Sequence, residues 1–400
     1  MTLPSVSIPV LRTHDEALAA AHAVAAALAQ EVVARDRAGA EVVPHEALAA
    51  LDVSGLLGIM VPRADGGPGL SMATLAEVTR ILAAVDPAIA QVPQAHFLFV
   101  DVLAVWGSAQ QRARLFGDVL GGARIGNALA ERGGQHAQDL KVRIADGVLD
   151  GTKYYCTGAL TARWIAVSAL DDDGRLVAAF VERDAPGVTV DRDWDVLGQR
   201  ATISGTATFA NVALDPALVL DYAHAYEVPQ QLGARAQLVH AAIEVGIAGG
   251  ALRDARAYLR EKARPSTEAV RAGATVAADD PHVLHRYGRA ATRVRAAEAL
   301  LRDAAAQLDV IGLEPADADA AAHGSMAVAG VKAFASEVAV EVSSELFQLC
   351  GTSSTATKYD LDRHWRNART HSVHDPLDWK YHHIAAYELA DVLPPNHGQL

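Results

Sequence analysis

The chain of 400 residues is poor in cysteine, with only Cys156 and Cys350, which lie in unrelated sequence contexts. So few thiols exclude a disulfide framework and are typical of a protein from a reducing compartment. Positive charge is also scarce, because 35 Lys and Arg residues stand against 48 Asp and Glu residues, for a net charge of −13. No segment forms a basic patch, which argues against a nucleic-acid partner. We therefore expect a cytoplasmic protein.

Long uncharged apolar runs are missing as well. Residues 1–14 lack the basic flank and apolar core of a signal peptide, and no stretch long enough for a bilayer is free of charge. We therefore expect neither export nor a membrane segment. A hydrophobic content of 51% instead predicts large buried cores, in two or three structural domains.

The pattern of apolar residues changes twice along the chain. Residues 15–121 are rich in Ala and Leu at helical spacing, whereas residues 125–220 contain short runs of Val, Thr, Tyr and Ile separated by Asp-Gly turns. The pattern of residues 125–220 predicts a small antiparallel barrel or sandwich. Helical spacing then returns in long segments, and residues 264–280 are predicted to form a long loop between them. The predicted domains are 1–122, 123–222 and 223–400, and the long helical segments are 236–261, 282–308 and 320–349.

Histidines cluster near the end of the chain, at positions 364, 371, 374, 382 and 383. His374 precedes Asp375 and Pro376, a pattern that predicts a helix end at which the side chain faces a pocket. A lone histidine is more often a core or surface residue, but the cluster favours an active site. His371 and His374, three residues apart, leave zinc or iron open. The usual helical spacing is four and no Cys is near, so we expect no metal.

Two phrases carry a resemblance over nearly the full length of the chain. Residues 55–62 with Gly66 and Gly67, and residues 197–206 with Phe209-Ala-Asn-Val, resemble the N-terminal and central signatures of the acyl-CoA dehydrogenase superfamily. The resemblance implies a mainly α fold with a central β domain. Its parts would be an N-terminal helical domain, a middle β-barrel or sandwich and a C-terminal four-helix bundle.

Three further phrases resemble one branch of that superfamily, the FMN-dependent monooxygenases of dibenzothiophene and of sulfur acquisition. They are residues 194–205, residues 151–158, and Trp365-Arg-Asn-Ala-Arg-Thr-His371-Ser-Val-His374-Asp375-Pro376. The resemblance implies a two-component enzyme that takes reduced FMN from a separate flavin reductase. With O2 it would form a C4a-hydroperoxyflavin and oxygenate a small apolar or organosulfur compound. A homotetramer built as a dimer of dimers is implied too.

The alternative is an FAD-dependent acyl-CoA dehydrogenase, with Asp375 at the position of the catalytic Glu of that family. A shorter carboxylate before a rigid Pro376 is poorly suited to that reach. The stretches that would hold the adenine half of FAD, residues 262–265 and 350–355, have lost most of the expected glycines. Arg264 and several hydroxyls suit a single terminal phosphate, which favours FMN. A third possibility is a non-catalytic or metal-binding scaffold.

The resemblance also assigns site residues. His374 would be the acid/base group, supported by His371, with His96 approaching from the N-terminal domain and Thr157 beside the flavin. The predicted cofactor-binding residues are Asn127, Tyr155, Thr157, Trp194, Ser204 and Arg264, of which Arg264 would bind the phosphate across a subunit boundary. Purely structural roles are also open for some of these residues. His96 would then be an ordinary helix residue, Trp194 a core aromatic and Arg264 a solvated side chain. Arg366 and Arg369 would pair with Asp360 or Asp362.

Overall fold

The N-terminal part of the computed structural model, which describes residues 7–134 and 139–400, is helical as predicted. Thr13 begins the first helix with a capping box, in which its hydroxyl accepts from Glu16 N–H while the Glu16 carboxylate accepts from Thr13 N–H. The helices are α1 (His14–Ala29), α2 (Val32–Ala38), α3 (His45–Asp52), α4 (Met72–Ala83), α5 (Pro87–Gln91), α6 (Gln94–Trp106) and α7 (Ala109–Leu120).

The stretch Pro87–Trp106, which contains α5 and α6, is long and apolar enough to cross a membrane by length and composition. It is not free of charge, because it contains Asp101. In the folded chain 72% of its apolar window is buried. Its carboxylate, Asp101, is buried too and pairs with Arg235 at 2.6 Å. These contacts are those of a core helix.

The middle of the chain forms one sheet, in the order β6-β7-β3-β2-β4-β5-β8 with β1 beside β4. Most neighbours are antiparallel, as predicted, but β4 runs parallel to both β1 and β2. The purely antiparallel expectation was wrong because the β2–β3 hairpin reverses the chain before β4. The strands are β1 (Ile125–Ala128), β2 (Arg143–Ala145), β3 (Val148–Cys156), β4 (Trp164–Leu170), β5 (Leu176–Glu182), β6 (Val188–Val190), β7 (Gly205–Ala213) and β8 (Val219–Asp221).

The C-terminal part is a bundle of long helices, which completes the predicted fold class. Helix α12 packs against α9 and α11, and α13 lies across α9 and α12. The elements are α8 (His224–Glu227), α9 (Leu232–Glu261), α10 (Thr267–Arg271), α11 (Pro281–Ile311), α12 (Ala318–Cys350), α13 (Asp362–Ser372) and α14 (Leu377–Ala390). The predicted boundaries at 122 and 222 fall between elements and stay a prediction.

The predicted loop at residues 264–280 is not irregular throughout. It contains α10 and a short 3-10 helix at Ala277–Asp279. Ser266 caps α10, because its hydroxyl accepts the backbone N–H of Ala269 at 3.1 Å. The Pro, Gly and Asp residues of this segment therefore separate two short helices rather than form one long loop.

Gly198 decides how closely the sheet domain approaches the bundle. A Cβ at this position would lie 2.0 Å from the backbone oxygen of Arg366 and 2.5 Å from the backbone N of Asn367, both in α13. No side chain fits there without separating the two backbones. The loop after β6 therefore lies directly on α13.

His96 ties α6 to two other parts of the chain. Its Nδ1 accepts the backbone N–H of Ile125 in β1 at 3.2 Å, so its Nε2 carries the proton and donates to the Leu57 carbonyl at 2.9 Å. The ring is fully buried, and burial lowers its pKa from the ordinary 6.5 to about 4. A neutral imidazole thus holds the helical domain against the first strand.

We expect Gly198→Ala to lower the free energy of unfolding by about 1–3 kcal/mol, because overpacking against backbone displaces whole elements. Urea unfolding followed by circular dichroism measures the change. Gly288→Ala is the matched control, since Gly288 is exposed in α11 with nothing within 4 Å of an added Cβ. Alanine there should be neutral or slightly stabilising. Equal stability of the two variants would contradict the close approach at Gly198.

We expect His96 to make the protein less stable in acid. The unfolded chain binds one more proton at this residue than the folded chain between about pH 4 and the ordinary 6.5. Its contribution to the free energy of unfolding is therefore complete above pH 6.5 and falls by about 1.4 kcal/mol per pH unit below it. Urea unfolding at several pH values should show a shallower slope for His96→Gln than for wild type. The exposed His22→Gln should keep the wild-type slope; identical slopes for all three would refute the assignment.

Candidate active site

A chain of hydroxyl groups joins the end of β3 to the loop before β7. The Thr157 and Ser204 hydroxyl oxygens lie 2.7 Å apart, and Ser204 lies 2.7 Å from the Thr202 hydroxyl. Thr202 in turn donates to the carbonyl of Gln199 at 3.0 Å. All three hydroxyls are buried. The two predicted residues Thr157 and Ser204 are therefore in direct contact.

The backbone around these hydroxyls is strained. Tyr155, Gln199 and Ile203 have φ values of 57°, 55° and 51°, in the left-handed region that favours glycine. For a β-branched residue such as Ile203 this conformation is a genuine outlier. Strain of this kind persists only where the surrounding structure enforces it, and it concentrates at functional sites.

Asn127 and Gln199 carry unsatisfied amide atoms at the two ends of the hydroxyl chain. The backbone N–H of Asn127 donates to the Thr157 carbonyl at 3.1 Å, which holds β1 beside the end of β3. The Asn127 side-chain oxygen is nevertheless buried with no hydrogen-bond partner among the described residues, and so are both amide atoms of Gln199. Buried polar atoms without partners are costly in a free protein. They mark a place where a ligand with donors and acceptors would fit.

Tyr155 and Trp194 form an aromatic pair at the edge of this region. Their rings meet edge to face, with centroids 6.0 Å apart, and Tyr155 is half-exposed. The Trp194 indole donates to the Gln199 carbonyl at 2.9 Å, so Trp194 supports the strained loop instead of filling the sheet core. The pair offers flat apolar surface beside the free amide groups.

Helix α13 connects this region to the histidine cluster. The backbone N–H of Gln199 donates to the side-chain oxygen of Asn367 at 2.5 Å. His371 lies one helical turn after Asn367, on the same face of α13. A displacement of α13 would therefore move both halves of the site together.

His371 lies at the centre of a buried hydrogen-bonded group. Its Nδ1 is 2.9 Å from Glu244 Oε1, and its Nε2 is 3.1 Å from Nδ1 of His240. Glu244 also pairs with Lys332 at 2.7 Å. Burial lowers the pKa of His371, and it lowers the pKa of His240 well below the ordinary value. Both imidazoles are therefore neutral near pH 7.

His374 is the accessible member of the cluster. It lies just beyond α13, which ends at Ser372, so it does not share a helix with His371, although their ring centroids are 6.4 Å apart. Its ring lies against that of His240, with centroids 4.3 Å apart and planes tilted by 35°, and its side chain is 46% exposed. Its Nδ1 lies 3.2 Å from Asp375 Oδ1. The helix ends before His374, as the Pro376 pattern predicts, whereas a pocket in front of this side chain stays a prediction.

Asp375 is buried beneath His374. Burial alone would raise its pKa, but the hydrogen bond with His374 and the nearby Lys380 ammonium outweigh burial and hold that pKa well below the ordinary value. Burial lowers the pKa of Lys380 to about 8, and its ammonium lies 4.0 Å from the Asp375 carboxylate. An ionised Asp375 accepts the proton of His374 Nδ1, which leaves Nε2 of His374 free to exchange protons.

Two predicted residues lie apart from this group. His96 uses both ring nitrogens for backbone hydrogen bonds, so its contacts favour the structural role over proton transfer. Arg264 is exposed after the end of α9, with no ion pair among the described residues. Arg366 pairs with Asp36, Asp360 and Asp362, which confirms its structural role.

Sequence reasoning missed six polar residues of the site. The signal was present in part: Glu244 and Lys332 are charges inside long apolar helical segments, where an unpaired charge is not tolerated. His240 and Glu244, like Lys332 and Ser336, are four residues apart and share a helix face. The six residues are Gln199, His240, Glu244, Lys332, Ser336 and Asn367.

The alternative role of the histidines as metal ligands lacks a suitable set of side chains among the described residues. Within residues 7–134 and 139–400, no group of three His, Cys, Asp or Glu side chains is arranged to hold a metal ion. His364 is hydrogen-bonded to Asp254, His371 to Glu244 and His240, and His374 to Asp375.

Three domains of one family match consecutive parts of the chain. They are the N-terminal domain of acyl-CoA dehydrogenase at residues 13–123, the middle domain at residues 128–212 and the C-terminal domain at residues 238–379. These matches cover the helical, sheet and bundle parts described above.

Individual relatives are monooxygenases. The chain is 35% identical over 401 residues to dibenzothiophene monooxygenase of Rhodococcus erythropolis, covering 93% of this chain and 94% of that protein. It is 32% identical over 407 residues to the probable FMNH2-dependent monooxygenase SfnC of Pseudomonas putida, covering 97% and 98%. The crystal structure of FMN-bound TdsC from Paenibacillus sp. A11-2 has a TM-score of 0.90 at 30% identity, covering 96% of this chain and 100% of TdsC. The chain therefore belongs to the acyl-CoA dehydrogenase family, in the branch that contains the FMN-dependent monooxygenases.

Proposed function

We propose that the protein is the oxygenase of a two-component system, which uses reduced FMN and O2 to oxygenate a small apolar or organosulfur compound. One observation carries the proposal: unpartnered buried amides and a hydroxyl chain lie beside α13, whose other end bears a histidine with a free Nε2. The amides and hydroxyls would bind the polar edge of a flavin ring, and the histidine would supply the proton transfer that oxygenation needs. The relatives named above act with FMN or on dibenzothiophene, which supports this choice of reaction.

The residues present fit FMN. The edge of a flavin ring carries carbonyls and ring nitrogens, which match the amide groups of Asn127 and Gln199 and the hydroxyl of Thr157. Tyr155 and Trp194 would cover the flat ring. Reduced FMN would supply the electrons and the activation of O2 that no side chain provides.

The end of α9, with Arg264, would bind the phosphate of an FMN whose ring is held by a neighbouring subunit. The two stretches compared above for the loss of adenine-binding glycines adjoin each other, since the Tyr258 hydroxyl donates to Ser353 Oγ at 2.9 Å. The Lys262 ammonium lies 4.5 Å above the Tyr359 ring on the same side. Arg264 follows directly and is free to pair with an anion. A cation and several hydroxyls suit one phosphate group.

His374 would handle the proton of the reaction. Asp375 holds the Nδ1 proton, so His374 exchanges protons through Nε2, and a histidine serves as acid or base near neutral pH. Thr157 would orient the flavin and the oxygen bound near it through its hydroxyl. His96 would act only by holding α6 in place.

The same contacts disfavour the alternative reaction, acyl-CoA dehydrogenation with FAD. That reaction needs a carboxylate base free to reach a substrate carbon. Asp375 is 2% exposed, hydrogen-bonded to His374 and close to Lys380, and its pKa is depressed. A carboxylate stabilised in its ionised form is a weak base.

The proposal includes a flavin reductase as partner, a homotetramer and a cytoplasmic location. Helix α14 and the segment after it expose large apolar side chains that a subunit interface would cover, which supports assembly. They include Trp379, Leu389 and Val392, which are 58%, 86% and 54% exposed.

We expect Asn127→Ala to weaken FMN binding about tenfold, because one buried hydrogen bond to the flavin is lost. The thermal stability of the flavin-free protein should not fall, since the Asn127 side-chain oxygen has no partner to lose. Titrations of reduced and oxidised FMN and of FAD measure the affinities, and the exposed Gln110→Ala is the control. FAD binding tighter than FMN binding would refute the cofactor assignment.

We expect His374→Ala to bind FMN with wild-type affinity and to lose at least about 100-fold in kcat, since acid/base groups contribute at this scale. The assay couples the protein to a flavin reductase and measures oxidised dibenzothiophene and a panel of smaller organosulfur compounds. His285→Ala, an exposed histidine of α11, should retain full activity. Wild-type turnover by His374→Ala would remove this residue from the reaction.

A further inference from the structure

A fully buried ion pair lies behind the histidine cluster and has no part in the chemistry described so far. Lys332 and Glu244 are 2.7 Å apart, and both side chains are 0% exposed. The Ser336 hydroxyl donates to the second oxygen of Glu244, and the Lys332 ammonium donates to Ser336 at 3.2 Å. Burying two charges costs more than their attraction returns in many proteins. Such a pair therefore calls for a role other than stability.

The pair fixes the charge of Glu244. Burial alone would raise the pKa of this carboxyl, but the Lys332 ammonium and the contact with His371 outweigh burial, and the pKa lies below its ordinary value. Glu244 is therefore ionised and accepts hydrogen bonds without donating any.

An ionised Glu244 determines where the protons of the two buried imidazoles lie. The proton of the 2.9 Å contact between His371 Nδ1 and Glu244 must lie on His371. Since His371 is neutral, its Nε2 is then an acceptor, and the 3.1 Å contact takes its proton from Nδ1 of His240. His240 is left with a bare Nε2. The geometry thus permits one direction of hydrogen-bond donation, from His240 to His371 and from His371 to Glu244.

The opposite direction requires an unfavourable charge. It needs either an imidazolium at His371, which burial and Lys332 oppose, or a protonated Glu244, which leaves Lys332 buried without a partner. Removing one partner of a buried ion pair is strongly destabilising. The Lys332–Glu244 pair therefore selects one tautomer for both imidazoles.

This choice matters because His240 lies against His374. A neutral His240, whose ring centroid lies 4.3 Å from that of His374, tolerates a proton on His374, whereas a charged His240 would repel it. The groups that act on His240 are His371 from α13, Lys332 from α12, and His374 and Asp375 from the turn. Glu244 from α9 contacts His371, Lys380 from α14 acts on Asp375, and His397 from the C-terminal segment is influenced by Lys380 and Asp375.

We propose that Glu244, Lys332 and Ser336 are positioning residues that lock His371 and His240 into one neutral tautomer and so keep the exchangeable proton of the site on His374. The inference rests on the function proposed above for His374. His374 gives its Nε2 proton to the reacting group and recovers one from solvent, while the buried imidazoles neither gain nor lose a proton.

The test is nitrogen NMR of the full-length protein labelled with 15N-histidine, because the shifts of the two ring nitrogens report tautomer and charge without any assay. Signals are assigned with His240→Gln and His371→Gln. In wild type near pH 7, His240 and His371 should each carry a proton on Nδ1 alone. A charged form or an Nε2 proton on either residue would overturn the proposal.

The informative variant is Glu244→Gln with Lys332→Met, which removes both charges and leaves neither unpaired. A glutamine presents its oxygen or its NH2 to His371 with similar ease, so both tautomers should appear. The matched control is Glu131→Gln with Lys153→Met, which removes the other buried Lys–Glu pair, at 2.6 Å in the sheet domain. Its histidine signals should match wild type. Unchanged tautomers in the Glu244 variant would overturn the proposal.

Kinetics provides a second readout. We expect kcat of the Glu244→Gln/Lys332→Met variant to fall by about tenfold or more at an unchanged KM, since a wrong tautomer disables a histidine without blocking binding. If wild type is active and the variant keeps the wild-type tautomers and kcat, the positioning role of Glu244 and Lys332 is refuted but the proposed function is not. An inactive wild type with the expected tautomers would refute the proposed function alone.

Discussion

The contact between the loop at Gly198 and helix α13 is the constraint on which the site depends. It brings two backbones so close that no side chain fits, and the hydrogen bond from Gln199 to Asn367 holds them in register. On one side lie the hydroxyl chain and the free amides of the sheet domain. On the other side lies His371, one turn along the same helix. The site exists only where these two domains meet.

Burial and neighbouring charges distinguish the histidines from one another. Burial makes His96, His240 and His371 neutral, and each is held by hydrogen bonds that leave little freedom. His374 differs because it lies beyond the helix end, half-exposed above an ionised Asp375. These four histidines thus have different environments, and solvent access is what separates His374 from the other three.

Much of this architecture was predictable from the sequence. Helical and strand periodicity predicted the order of the three parts, and the Asp375-Pro376 step predicted the helix end beside His374. The details that failed depend on distant contacts. The parallel pairing of β4 with β1 follows from a hairpin between them, and His96 is a backbone tie because Leu57 and Ile125 happen to flank its ring. Neither partner is visible in the local pattern around His96.

The sequence by itself determined the family, the cofactor chemistry and the identity of His374 as the candidate acid/base group, because those follow from motifs of consecutive residues. Only the tertiary structure decided that Glu244, Lys332 and His240 are grouped next to His374. These residues come from two helices that are about ninety positions apart, and periodicity gives the buried face of each helix but not which charges meet across it. The pairing of buried charges is set by helix packing, which one sequence read alone does not specify.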